Sequence, residues 1–89
     1  MPAKRKPKVF IFCGLRIFSF HPCIAMAEDG TILATDTCNF RWQLESVMAK
    51  YGGAYGTYYP DGYEVVPVED PIHTPSILAA CERWLREHT

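Results

Sequence analysis

The segment from Cys23 to Thr35 constrains the fold more than any other part of the chain. Two β-prone runs, Cys23-Ile24-Ala25-Met26-Ala27 and Thr31-Ile32-Leu33-Ala34-Thr35, stand on either side of Glu28-Asp29-Gly30. Glycine adopts positive φ without steric cost, so this spacing closes the two runs into an antiparallel hairpin. A lone hairpin is marginal in water and needs more strands or a helix against it. The flanking sequence offers both. Val9-Phe10-Ile11-Phe12-Cys13 is an unbroken apolar run ended by Gly14, the pattern of a central strand. Tyr63 to Val68 reads as a further strand, near an edge because Pro67 cannot donate to a ladder. Leu15 to Pro22 stays open between a returning strand and an apolar loop laid across the sheet.

Two helical patterns complete the set. Phe40, Leu44, Val47, Met48 and Tyr51 fall on one stripe, with Asn39 as N-cap and Gly52 as the stop. Thr74 and Pro75 open a last helix whose stripe is Ile77, Leu78, Cys81, Trp84 and Leu85. The expected fold is α+β: a small mixed or antiparallel sheet of three to five strands, with two helices packed on one face. A chain of 89 residues makes one such domain. Residues 1–8 read as a basic, flexible arm and residues 9–89 as the domain.

Charge divides along the same boundary. Lys4, Arg5, Lys6 and Lys8 are four of the nine basic residues, so from residue 9 onward five basic residues face ten acidic ones, a balance of −5. An acidic body repels a phosphate backbone, which makes nucleic acid an unfavoured partner. The alternative is a nucleic-acid-binding protein using the arm, with tyrosines stacking on unpaired bases.

Cys13, Cys23, Cys38 and Cys81 show no CxxC pair and no finger or ribbon spacing, so neither a metal site nor a cofactor is expected. They read as reduced core residues of a cytoplasmic protein. The alternative is secretion, with residues 1–27 as a signal peptide. That segment has a basic start, an apolar stretch from Val9 to Phe20, and Ala25-Met26-Ala27 as a cleavage site. Arg16 interrupts the apolar stretch and, with His21 and Pro22, also argues against a membrane span.

The most unusual composition lies between Tyr51 and Tyr63, which hold all five tyrosines and four of the six glycines. Tyrosine offers rigid contact area with a polar tip, and glycine lets a backbone adapt, a pairing that binding loops use. Tyr55, Tyr58, Tyr59 and Tyr63 are therefore the candidate protein-binding residues, with Phe18 and Phe20 of the apolar stretch as a second patch.

The order strand, hairpin, helix, strand across residues 8–72 resembles that of ribonuclease-H-like nucleases. That resemblance implies metal-binding carboxylates on the first strand, the first helix and after the fourth strand. Glu45 and Glu69-Asp70 match two of these positions, but the first strand offers Cys13 where a bridging carboxylate is required. A degenerate metal-dependent hydrolase is thus the second alternative. No phosphate loop, H-E-x-x-H or G-x-S-x-G is present, His21 lies beside Pro22 rather than in a nucleophile–base pair, and no catalytic residue is assigned. The expected function is a small non-catalytic protein-interaction module, an adaptor or inhibitor, whose partner is another protein or a second copy of itself.

Overall fold

β1 (Lys8–Cys13) is the strand around which the sheet is built. In the computed structural model, which describes residues 6–16, 18–68 and 77–88, it pairs on both sides. β2 (His21–Ala27) runs antiparallel to it, with Val9 opposite Ala27 and Cys13 opposite Cys23. β3 (Ile32–Cys38) pairs antiparallel with β2, closing the hairpin through Glu28-Asp29-Gly30. Gly30 takes φ 92° there, the conformation for which glycine is needed. β4 (Glu64–Pro67) lies parallel to β1, with Lys8 opposite Glu64 and Ile11 opposite Pro67. The result is a four-stranded mixed sheet in the order β3-β2-β1-β4. β4 occupies an edge among the described residues, where a proline leaves no ladder donor wasted. β1 and β2 are the inner strands, so a cut after Ala27 would remove the centre of the sheet.

Helices cover both faces of the sheet, not one. Val9, Ile11 and Cys13 of β1 face Leu44, Met48 and Tyr55, while Phe10 and Phe12 face Ala80, Cys81 and Leu85. The physical reason is visible in the sequence of β1 itself. A strand apolar at every position leaves an uncovered face unless each side has its own layer. The second layer is α3 (Ile77–His88), whose Trp84 meets Phe10 and Phe12 edge-on at ring separations of 5.4 and 5.5 Å. Leu78, expected on the buried stripe of this helix, is exposed, and Ala80 is buried instead. Thr74 and Pro75 fall outside the described residues, as does Ile17.

The first layer is one helical run from Arg41 to Tyr58: a 3₁₀ turn, α1 (Leu44–Met48), a second 3₁₀ turn and α2 (Gly52–Tyr58). Gly52 does not stop it. A helical glycine costs about 1 kcal/mol relative to alanine, and burying the ring of Tyr55 one turn later outweighs that. Asn39 does not cap the run; the Gln43 side chain accepts from the Asn39 and Phe40 N–H groups at 3.2 and 3.1 Å instead. Phe40 thereby sits ahead of the helix and exposed, off the stripe on which its spacing had put it.

Lys8 belongs to β1, and the Pro7 carbonyl accepts from Glu64 N–H at 2.9 Å, so sheet contacts reach back into the basic segment. Lys4 and Arg5 lie outside the described residues. Between isolated bridges at Gly14 and Phe20, residues 15, 16, 18 and 19 belong to neither strand nor helix. Gly14 is required by close approach: a Cβ there would stand 2.5 Å from Ile77 Cδ1 and 2.9 Å from Pro22 Cγ.

Candidate functional site

The register puts two chemically different regions at opposite ends of the sheet. The C-terminal ends of β1 and β3 and the start of β2 meet at one end, since Cys13 pairs with Cys23 and His21 with Cys38. Two segments leave from here, one after Cys13 with Leu15, Arg16 and Phe18 and one after Cys38 that enters the 3₁₀ turn Arg41–Gln43, and the Arg16 guanidinium joins them by donating to the Asn39 carbonyl at 2.9 Å. They carry Leu15, Phe18, Phe40 and Trp42, all exposed. Phe18 is 91% exposed and Trp42 78%. Phe18 also holds φ 58°, a left-handed backbone that costs a non-glycine residue roughly 1–2 kcal/mol. Phe40 and Trp42 stack with planes 8° apart and centroids 6.1 Å apart. Beside them a cleft of about 610 Å³ is lined by Arg41, Trp42, Leu44, Glu45, Pro67 and Val68. Phe20, the other residue expected in this patch, is half-buried.

The tyrosine segment, which reaches the opposite end at the hairpin turn, is bonded within the protein's own chain, to backbone groups and to carboxylates. Tyr55 is 1% exposed and donates its hydroxyl to the Met48 carbonyl at 2.8 Å. Burial pushes its phenol up to about 12. The expectation of Tyr55 as a binding-surface residue is therefore corrected: it is core, because the helix continues through Gly52 and turns this ring onto the sheet. Tyr58 donates to the Asp29 carboxylate, and Tyr59 accepts from Glu28 N–H at 3.2 Å, so both brace the hairpin turn. Tyr51 donates at 2.5 Å to Asp36, which lies opposite Cys23 and so toward the aromatic end, and Tyr63 donates to the Gly52 carbonyl at 3.4 Å. Tyr63 is half-buried against Tyr55, edge-on at 5.7 Å. A cleft of about 530 Å³ does lie here, lined by Lys6, Glu28, Tyr58, Tyr59 and Asp61 among others.

Of the carboxylates that the nuclease resemblance implies, the described residues include Glu45 alone. Glu45 is exposed on α1 and borders the cleft near Val68, while Glu69 and Asp70 fall outside the described residues. At the end of β1 stands Cys13, buried.

That cysteine has neighbours that spacing could not show. Cys13, Cys23 and Cys38 come from three adjacent strands, and their sulfurs all lie within 4.8 Å of one another. The Cys23 and Cys38 sulfurs are 3.4 Å apart. All three are buried thiols, as is Cys81 on the opposite face. Burial raises the thiols of Cys13, to about 11, of Cys81, to about 12, and of Cys23 still further. A thiol raised in this way is not activated as a nucleophile. His21 is turned to the backbone, its Nδ1 lying 2.9 Å from the Gly14 carbonyl oxygen.

Sequence reasoning missed Trp42 as a surface residue and placed Phe40 in the core. Trp42 left a signal, since it lies off the stripe running through Leu44, Val47, Met48 and Tyr51. The cysteine cluster left none, because its members are distant in the chain until the strand pairing is known. Among the described residues no helix is long and apolar enough to cross a membrane. Comparisons with protein families, curated proteins and solved structures return no match, so the meaning of these surfaces rests on their own chemistry.

Proposed function

We propose that the chain is a non-catalytic protein-interaction module that docks a protein partner through the aromatic end of its sheet, with Phe18 and Trp42 as anchors. The observation that carries this reading is the exposure of these two rings on segments tied together by the Arg16–Asn39 contact. Covering one such ring is worth about 1.5–3 kcal/mol, and tryptophan and arginine are the residues on which interface energy concentrates. Strain at Phe18 adds support, because a left-handed phenylalanine held in water has no folding role to justify it. A protein fits better than a nucleic acid, since the acidic balance of −5 beyond residue 8 opposes a phosphate backbone. Four buried thiols fit a reducing, cytoplasmic setting.

The test compares the wild-type chain with a Phe18→Ser/Trp42→Ser double variant and with Tyr58→Phe. Quantitative affinity capture, sedimentation velocity and binding of single-stranded oligonucleotides at low salt are measured on each. The expected result is a protein partner, or self-association, lost in the double variant and kept in Tyr58→Phe, with each anchor contributing about 2 kcal/mol or more. If the double variant keeps every partner, or loses only oligonucleotide, the reading fails.

A further inference from the structure

We propose that Cys13, Cys23 and Cys38 form a binding site for one thiophilic divalent cation of the zinc class. The case begins with placement. Cys13 lies directly across the β1–β2 ladder from Cys23, and Cys38 ends β3 opposite His21, two residues before Cys23 on the same side of β2. Three strands of one hydrogen-bonded sheet therefore hold the sulfurs, and no loop has to close to gather them. Ligands carried on rigid elements keep their geometry better than ligands on loops.

The distances fit one ion. A tetrahedral ion with metal–sulfur bonds of about 2.3 Å sets its sulfurs about 3.8 Å apart. The observed separations run from 3.4 Å between Cys23 and Cys38 to no more than 4.8 Å. Shifts of about 1 Å or less, within rotamer adjustment, bring all three onto a common centre. Three protein ligands leave the fourth position of such an ion to an exchangeable ligand such as water.

Chemistry narrows the occupant. Three sulfurs with no oxygen or nitrogen donor among them select a soft or borderline ion over calcium or magnesium. Charge narrows it further. Three thiolates with a divalent ion carry −1, whereas a monovalent ion would leave −2 in a buried site, at a larger desolvation cost. The positive charge of Arg41 acts on Cys13 and offsets the remaining −1. The binding step exchanges protons for metal without any oxidant: three R–SH and one M²⁺ give one M(SR)₃⁻ and three H⁺. Thiols must lose their protons to ligate a metal, so these protons leave when the metal enters.

The test uses the full chain, reduced and stripped with a chelator, then titrated with Cd²⁺ and Zn²⁺. Four readouts are expected for wild type. The thiolate-to-Cd²⁺ charge-transfer absorption saturates at one ion per chain, about three protons are released per ion at pH 7, the melting temperature rises with metal, and chelator reverses it. Cys81→Ala should keep all four. Cys38→Ser should weaken binding by more than about 100-fold, because loss of even an outer-shell contact costs 10–100-fold. If Cys38→Ser fails to fold, the wild-type stoichiometry and proton count decide alone. Absence of the absorption band, release of fewer than two protons per ion, or loss of binding in Cys81→Ala would each overturn the site.

Discussion

The two ends of the sheet are both aromatic, and they use their rings in opposite ways. In the tyrosine segment every hydroxyl meets a partner inside the chain: Tyr55 the Met48 carbonyl, Tyr58 and Tyr59 the hairpin turn, Tyr51 Asp36, Tyr63 Gly52. At the other end Phe18 and Trp42 stand in water. The difference is chemical before it is geometric. A tyrosine buried in part can satisfy its hydroxyl on a nearby carbonyl or carboxylate, so glycine-rich, tyrosine-rich chain can fold onto its own domain. A phenylalanine has no polar handle and gains only by being covered. Aromatic richness in a sequence therefore marks neither core nor contact surface until the polar tips are accounted for.

The sharpest way to break this comparison is Tyr55→Ala. Removing a fully buried ring from beneath α2 should cost about 3–5 kcal/mol of unfolding free energy by denaturant titration. A loss below about 1 kcal/mol would return the tyrosine segment to the surface. Next in size is Gly14→Ala, at the base of the aromatic end. The added methyl meets Ile77 and Pro22, and about 1–3 kcal/mol should be lost as these move apart. An unchanged melting curve would mean that α3 does not press on this end.

Phe18→Gly should act in the other direction. Relief of the left-handed backbone should leave stability unchanged or raise it by up to about 1 kcal/mol, while partner binding falls. A clear destabilisation would make Phe18 a structural residue and remove the contrast between the ends. The smallest effect is a response to acid. The hydrogen bond from Tyr51, with help from Thr37 N–H and Lys50, holds Asp36 down at about 2, and the bond from Tyr58 lowers Asp29. Both carboxyls are depressed on folding. Their contribution is present above the unfolded value of about 3.9 and is lost as pH falls toward about 2. The melting temperature should drop across that window, and less so in Asp36→Asn. A flat profile would show that the tyrosine–carboxylate braces contribute nothing.

Much of the fold was legible in the chain. The hairpin followed from Gly30 between two β-prone runs, the central strand from five apolar residues in a row, and the edge position of β4 from Pro67. The candidate sites were less so. Phe18 was within reach, as part of an apolar stretch that no clean period could absorb. Phe40 was assigned to the core because its spacing matches the stripe of α1, and the Gln43 side chain, by capping the turn, leaves it outside.

Local sequence thus determined the elements, because turn residues, strand-forming runs and helical periodicity act within a few residues of one another. Only tertiary structure decided what those elements present. Whether Gly52 ends a helix depends on what burial of Tyr55 gains three residues later. Whether a tyrosine is drawn onto the domain depends on an acceptor more than ten residues away, as for Tyr51 and Asp36. Whether three cysteines are neighbours depends on the register of three strands, and no spacing along the chain encodes a distance between strands that have yet to pair.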